Sequence, residues 1–131
     1  MMFDLGGFRV SLYTYRAVCD RVIDGDTVVL EIDLGFSMTA KVKVRLLGID
    51  APEAVGVSAE ERARAKAAAE FLESLLFAIP QMRYEESLLV ETKKTDGFGR
   101  YLAKITRERD ELDVSAAMIE AGHARPYRAA V

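Results

Sequence analysis

An Asp-Gly pair at positions 24 and 25 constrains the fold more than any other feature of the sequence, because it separates two β-favouring segments. Val, Leu, Tyr and Thr are frequent from about residue 8 to residue 23, and residues 26–32 are mainly apolar. A two-residue Asp-Gly between apolar strands is a strong signal for a tight hairpin. We therefore predict a hairpin whose second strand begins at Asp26.

A third strand is predicted over residues 38–47, after a reversal at residues 33–36. Within it, Lys41, Lys43 and Arg45 alternate with apolar residues, which is the period of two expected of a half-buried strand. This pattern predicts that Arg45 lies on the solvent-facing side. The three strands together form an antiparallel meander.

The end of this third strand combines charged residues with a change of backbone structure. Gly48 interrupts the alternation, and Pro52 biases Ala51 toward an extended conformation. Asp50 and Glu53 therefore fall where a strand becomes a loop, which is a common place for functional residues. The alternative is a lysine-rich strand that ends in an ordinary turn.

A capping-box pattern at Ser58-Ala-Glu-Glu61 predicts the start of a helix that runs to about Phe77, ahead of Pro80. Apolar residues at helical spacing predict its buried stripe. The stripe comprises Ala63, Ala67, Phe71 and Leu75, with their neighbours Ala68, Leu72 and Leu76. The charges of the helix, including Glu60 with Arg64 and Lys66 with Glu70, are typical of a solvated face with spaced ion pairs.

Two more strands are predicted over residues 87–92 and 100–106, followed by a short helix that Asp113 caps and that runs through Ala121 to Gly122. The order is thus three strands, a long helix, two strands and a short helix. We predict an α+β, mainly β fold: a five-stranded Greek-key barrel of the oligonucleotide/oligosaccharide-binding (OB) type, with the long helix between strands 3 and 4. At 131 residues, the chain fits a single domain over residues 1–131.

Composition narrows the possible functions. A net charge of -3 gives no global attraction to nucleic acid, so phosphate binding requires locally concentrated cations or a metal. The chain has one His and one Cys, which excludes an internal disulfide and a Cys-rich zinc site, and Cys19 is predicted to be a small core residue. No apolar run has the length of a membrane span and no export signal is recognisable, so we expect no membrane contact, a cytoplasmic location by default and a monomer.

Carboxylates and arginines recur in three separated motifs. They are Val22-Ile-Asp-Gly-Asp-Thr-Val28, the stretch from Arg45 to Glu53, and Thr95-Asp-Gly-Phe-Gly-Arg100. With a long helix between the second and the third, the three motifs together resemble the staphylococcal nuclease-like (thermonuclease) family. The similarity extends from about Val18 to Tyr127. It implies the same type of barrel and a nuclease acting on single-stranded or locally opened DNA and RNA.

The resemblance also implies a single calcium ion. Asp26 and Asp50 match the family's carboxylate ligands, and Ala51 matches a residue that coordinates through its backbone carbonyl. The chemistry is consistent, because calcium accepts carboxylates, carbonyls, waters and phosphate oxygens. Ala51 replaces a threonine of the best-known pattern, and a carbonyl ligand survives that exchange.

The catalytic groups implied by the resemblance are Arg45 and Arg100, which match the phosphate-binding arginines, and Glu53, which matches the usual general base. Two guanidiniums can stabilise the charge on the equatorial phosphate oxygens, and a carboxylate can take a proton from the attacking water. Family members release products with a 3'-phosphate and a free 5'-hydroxyl. Phe98 stands where a tyrosine is frequent, and its ring can face a base.

Simpler interpretations remain beside these. Asp24 and Thr27 are expected to shape the turn, because both side chains bond readily to nearby backbone. His123 is expected to be structural or on the surface, and Tyr127 approximates a base-stacking tyrosine. The alternative function is a catalytically inactive OB-fold module that binds nucleic acid or a protein partner; a structural subunit of a larger assembly is a third possibility.

Overall fold

The chain folds as a mainly β structure with two helices, and the computed structural model describes residues 2–5, 8–11, 13–53, 58–79, 84–95 and 100–127. The helices are α1 (Ala59–Leu76) and α2 (Val114–Glu120). The longer strands are β3 (Thr14–Asp24), β4 (Thr27–Gly35), β5 (Met38–Leu46), β9 (Leu88–Thr95) and β10 (Tyr101–Arg107). The shorter strands are β1 (Met2–Leu5), β2 (Phe8–Ser11), β6 (Ile49–Asp50), β7 (Phe77–Ile79), β8 (Tyr84–Glu85), β11 (Leu112–Asp113) and β12 (Arg125–Pro126).

The five longer strands close into a barrel. β3, β4 and β5 form the predicted antiparallel meander, and β9 pairs antiparallel with both β3 and β10. β10 then pairs parallel with β5, which places Leu102 opposite Arg45 and completes the circuit β10-β5-β4-β3-β9. The OB-type five-stranded barrel predicted from the sequence is therefore confirmed.

The first hairpin of the barrel turns one residue later than predicted. Gly25 and Asp26 form the turn, and β4 begins at Thr27 opposite Asp24. Two register shifts in the β3–β4 pairing, between Cys19 and Arg21 and between Val22 and Asp24, account for the difference. Such bulges add residues to one strand of a pair, so β3 continues to Asp24 before the chain reverses.

The N-terminal β-favouring segment is two strands rather than one. β2 pairs with β1 in a separate two-stranded sheet, whereas β3 enters the barrel. Between them, Tyr13 has a φ of 63°, in the left-handed region that a β-strand does not use. A local pattern of β-favouring residues does not reveal this change of direction.

α1 has the predicted N-cap, because the Ser58 hydroxyl accepts a hydrogen bond from the Glu61 amide at 3.2 Å. The predicted buried stripe is partly wrong, since Ala63 and Ala67 are exposed. The buried residues of α1 are Ala65, Ala68, Leu72, Leu75 and Leu76. Alanine occurs on every face of this helix, so the alanines could not locate the buried side, whereas the leucines did.

The core fills the barrel and extends to both helices. Cys19 is buried as predicted, and its thiol lies 3.8 Å from the carbonyl oxygen of Val29. Asp113 caps α2 by accepting from the amide of Ala116 at 3.2 Å, and Gly122 follows the helix with a φ of 79°, as the sequence predicts. Within the described ranges, neither helix is both long and apolar enough to cross a membrane.

Candidate functional site

The carboxylate of Asp26 is held in a buried position at the first hairpin turn. The residue is 6% exposed, and its Oδ1 accepts from the Thr27 hydroxyl at 3.0 Å. Its Oδ2 accepts from the backbone amide of Ala51 at 3.0 Å. Because its own carbonyl also accepts from the amide of Leu46 at 2.8 Å, Asp26 fastens the turn to the end of β5 and to the residues after β6.

Arg45 is nearly buried, contrary to the expectation that it faces solvent. Its side chain is 11% exposed, and Nη2 donates to Asp26 Oδ2 at 3.4 Å and to Asp50 Oδ1 at 3.1 Å. The guanidinium carbon also lies 5.1 Å from the ring centroid of Tyr127. The alternation identified the correct face of β5, but these partners cover most of that face at Arg45.

Asp50 joins two arginines from different parts of the chain. β6 pairs antiparallel with β12, which places Arg125 directly opposite Asp50. Arg125 then donates to Asp50 Oδ2 from Nε at 3.3 Å and from Nη2 at 3.0 Å, while Arg45 bonds the other oxygen. Burial of the Asp50 carboxyl acts to raise its pKa, but the hydrogen bonds and charges of the two arginines hold that pKa below its ordinary value.

Asp24 adds a third carboxylate to the site. Its pKa is raised, first because burial disfavours the charged form and then because Asp26 and Glu53 contribute negative charge. The positive charge of Arg100 acts in the opposite direction. Asp24, beside the first hairpin turn, thus lies within the electrostatic influence of three predicted site residues.

Arg100 approaches the same turn from the start of β10. Its Nη1 lies 3.5 Å from the hydroxyl oxygen of Thr27, and the side chain is partly buried. Thr27 thus connects Arg100 to Asp26, because the same hydroxyl donates to the Asp26 carboxylate. The threonine was expected to shape the turn, and it also links the two charged groups.

The predicted site residues differ in how firmly they are held. Asp26, Arg45, Asp50 and the backbone of Ala51 form one hydrogen-bonded group, whereas Glu53 is exposed and reaches the group through its charge on Asp24. At Ala51 it is the amide that contacts Asp26, and the carbonyl ligand remains a prediction. Phe98 lies outside the described residues, so its predicted stacking role also remains a prediction.

The donors that a metal ion would require are all oxygens here. In the described portions of the chain, no group of three or more His, Cys, Asp or Glu side chains is arranged to hold a metal. A carboxylate has about four acceptor positions. Three described donors contact the Asp26 carboxylate, from Thr27, Ala51 and Arg45. Calcium accepts carboxylate oxygens together with backbone carbonyl, water or phosphate oxygens, so the donor chemistry of Asp26 and Asp50 suits this ion.

Arg125 is the site residue that sequence reasoning missed. It lies outside all three motifs, and its contact with Asp50 depends on a two-residue strand pairing across the fold. His123, just before it, stacks on Phe71 with ring centroids 4.8 Å apart and an interplanar angle of 29°. The stack gives His123 the structural role that was expected.

A groove of about 320 Å³ opens beside Asp50, between the end of β6 and the connection from α2 to β12. Its lining residues are Asp50, Ala51, Pro52, Gly122, His123, Ala124 and Arg125. The groove is continuous with the charged group, because Asp50 and Ala51 belong to both.

The closed barrel defines an OB-type domain, with a group of acidic side chains and guanidiniums at its first turn. A family model described as staphylococcal nuclease homologue matches residues 43–131. The chain belongs to the staphylococcal nuclease homologue family, as its motifs predicted. The matched region contains Arg45, Asp50, Glu53 and Arg100, while Asp26 lies before it.

Comparison with curated proteins finds Protein ParB of Escherichia coli. The two sequences are 35% identical over 118 residues, which cover 82% of this chain and 55% of ParB. The chain therefore spans about half the length of this relative.

Proposed function

We propose that the protein is a calcium-dependent nuclease that hydrolyses phosphodiester bonds in single-stranded or locally opened DNA and RNA. Membership of the nuclease-homologue family supports the reaction class. The observation that carries the proposal is the position of Arg45 Nη2, which contacts the carboxylates of both Asp26 and Asp50. Two carboxylates and a guanidinium in one partly buried group suit a phosphate bound together with a cation.

In this proposal Asp26 and Asp50 hold the calcium ion, with the Ala51 carbonyl as a further ligand. The ion, when bound, supplies positive charge that polarises a phosphate oxygen. Asp26 is already fixed by the Ala51 amide and by Thr27, so little reorganisation of this carboxylate is needed. The pKa of Asp24 at the same turn is raised first by burial and then by the negative charges of Asp26 and Glu53, and a nearby cation would offset the contribution of those charges.

Arg45 and Arg100 bind the equatorial phosphate oxygens. Arg45 is anchored by two carboxylates and Arg100 reaches the same turn through Thr27, so both guanidiniums are directed to one region. Fixed guanidiniums in a partly buried site stabilise the charge that develops on the phosphate. We expect Arg45→Ala and Arg100→Ala each to weaken substrate binding and turnover together.

Glu53 orients the attacking water and accepts its proton. The residue is exposed beside the buried group, so water has access to it. The oxygen of water then bonds to phosphorus while the bond from phosphorus to the 5'-oxygen breaks. The 5'-oxygen takes a proton from solvent to become the 5'-hydroxyl, and the 3'-phosphate stays on the other product. A positioned general base contributes about 10²- to 10⁴-fold to such a step.

A digestion assay on single-stranded DNA, duplex DNA and RNA tests the proposal. Purified protein is incubated with calcium, or with a chelator, and the ends of the products are analysed. We expect cleavage with calcium, its loss on chelation, and 3'-phosphate products. Glu53→Gln should lower kcat by about 10²- to 10⁴-fold while oligonucleotide binding changes little.

Glu85→Gln is a matched control, since Glu85 is an exposed glutamate on the short strand β8. It should leave cleavage unchanged. If purified protein with calcium leaves every substrate intact where a known nuclease cuts, the enzymatic proposal fails. Oligonucleotide binding without cleavage, unaffected by calcium or by Glu53→Gln, would instead favour an inactive binding module.

A further inference from the structure

Arg125 differs from the other cations of the site in its exposure. Its side chain is 79% exposed, compared with 11% for Arg45, although both guanidiniums contact Asp50. Nε and Nη2 face Asp50 Oδ2. A guanidinium has five N–H groups, of which two are on Nη1. In Arg125, Nη1 donates to none of the residues that the structure describes, so both of its N–H groups can bind a ligand.

The backbone fixes where this exposed guanidinium lies. Arg125 is directly opposite Asp50 in the β6–β12 pair, and the amide of Tyr127 donates to the carbonyl of Gly48 at 2.9 Å on the same pair of segments. The strand pairing and this adjacent backbone hydrogen bond hold Arg125 at the border of the candidate site. Its position therefore depends on strand pairing and on the contact with Asp50 together.

The groove next to Arg125 has the chemistry of a nucleotide subsite. Its lining includes Arg125, the apolar residue Pro52, and His123, whose ring is held in place by the stack on Phe71. A volume of about 320 Å³ is at the small end of ligand pockets, which is suitable for one nucleotide rather than a long segment. Guanidiniums recognise phosphate, and flat side chains accept a base without sequence preference.

We propose that this groove binds the nucleotide next to the cleaved phosphodiester, with Arg125 contacting that nucleotide's phosphate. The inference rests on the proposed nuclease function, and it extends the site by one phosphate beyond Arg45 and Arg100. Continuity supports it, because Asp50 and Ala51 line the groove and also belong to the charged group. The subsite makes the enzyme favour polynucleotides over substrates with a single phosphodiester.

The test removes the arginine and the adjacent phosphate charge separately and together. The protein variant is Arg125→Gln, and the substrate variant is an oligonucleotide in which one phosphate next to the cleavage point is an uncharged methylphosphonate. Separate substrates carry the replacement on the 5' and on the 3' side. Deoxy- and ribo-oligonucleotides are both tested. The kinetic comparison then uses the type of oligonucleotide that the wild-type protein cuts faster.

We expect either change alone to raise KM by about tenfold with little change in kcat, as for one exposed charged hydrogen bond. On the side where Arg125 contacts the phosphate, Arg125→Gln and the methylphosphonate together should raise KM no more than either change alone. Arg125→Gln should also reduce the slope of log affinity against log salt by about 0.7, the value for one phosphate of a single strand. Arg125→Lys should restore most of that slope, because the charge is kept.

Arg16→Gln is a matched control. Arg16 is 64% exposed and pairs with the Glu108 carboxylate through two nitrogens, at 2.7 and 3.1 Å, as Arg125 pairs with Asp50. It lies eight residues before Asp24 on β3, about 25 Å along the strand, so it should change neither KM nor the salt slope.

The outcomes separate this inference from the nuclease proposal. If wild-type protein cuts but the two changes are additive on both sides, Arg125 contacts no adjacent phosphate and the inference is wrong. The inference would also be overturned if Arg125→Gln raised KM equally for substrates with one phosphodiester and for longer ones, because Arg125 would then act only through Asp50. If wild-type protein neither cuts nor binds any oligonucleotide, both proposals fail.

Discussion

Gly25 is packed too closely for any larger residue, and this allows a quantitative prediction. A Cβ added at this position would lie 2.9 Å from the Cβ of Ala51 and 2.9 Å from the Cβ of Ala68. Favourable carbon–carbon contacts are about 3.5–4.0 Å, so Gly25→Ala creates two overlaps at once. Neither methyl group can rotate away, because each Cβ is fixed directly to the backbone.

Relief therefore requires that the turn move away from α1 or from the end of β6. Overpacking of this kind costs about 1–3 kcal/mol in free energy of unfolding. For a chain of this length that corresponds to a fall in Tm of roughly 4–12 °C. Because the turn also carries Asp26, the displacement should lengthen its hydrogen bond with the Ala51 amide, which is now 3.0 Å.

A double-mutant cycle identifies the cause. Ala68→Gly removes one of the overlapping methyl groups, and by itself costs about 1 kcal/mol as a glycine inside a helix. In the Gly25→Ala background it should cost less, or even stabilise, with a coupling energy of about 0.5–2 kcal/mol measured by urea unfolding. Gly48→Ala is the control: open space surrounds Gly48, and its φ of 86° makes alanine unfavourable for a different reason.

The reasoning is refuted by either of two results. Gly25→Ala could unfold at the same urea concentration as the wild-type protein, which would mean that the turn accommodates a methyl group. The energies of Gly25→Ala and Ala68→Gly could instead be additive, as expected for Gly48→Ala with Ala68→Gly. Additivity would show that the loss does not come from contact between the turn and α1.

Three further predictions concern stability. Ala68→Glu should prevent stable folding because Ala68 is fully buried, whereas Ala67→Glu on the exposed side of α1 should shift Tm by less than about 2 °C in the same thermal scan. Arg109→Gln should lower the free energy of unfolding by about 1–2 kcal/mol in urea titrations. The substitution removes the 3.1 Å ion pair with Glu86, which is only 7% exposed. An unchanged urea midpoint would contradict this prediction. A hydrogen bond and an ion pair with Arg107 lower the pKa of Asp110 to about 2. The charged carboxylate therefore stabilises the fold above its unfolded pKa of about 3.9. Asp110→Asn should be less stable than wild type at neutral pH, and the difference in Tm should disappear as the pH falls from about 4 to about 2.

Much of the framework could be predicted from the sequence because its signals are local. The alternation around Arg45 located β5, the Ser58 pattern located the start of α1, and Asp113 with Gly122 bracketed α2. Each of these depends on side-chain periodicity or on bonds within a few residues. Such signals do not depend on how the rest of the chain folds.

Features that depend on distant pairing could not be predicted in this way. The bulges that delay the first turn are properties of the β3–β4 register, and the burial of Arg45 results from partners at Asp26, Asp50 and Tyr127. Arg125 becomes a site residue only through the two-residue β6–β12 pair, which has no periodicity of its own. Motif positions thus indicated the chemistry, whereas the exposure and the partners of each group required the fold.

The parallel pairing of β10 with β5 has a consequence for the order in which the protein becomes functional. This pair brings Leu102 opposite Arg45, and α1 with its neighbouring strands lies between them in the sequence. A non-local contact of this kind incurs the entropy of closing a long loop, so it contributes to a high contact order and to slow folding. Arg45 lies opposite Thr27 in the β4–β5 pair, so it meets the first turn as soon as that hairpin forms. Arg100, just before β10, reaches Thr27 only when the long loop has closed, so the pair of arginines is complete only after that closure. In refolding experiments, recovery of the site should therefore coincide with the last kinetic phase rather than with the appearance of secondary structure.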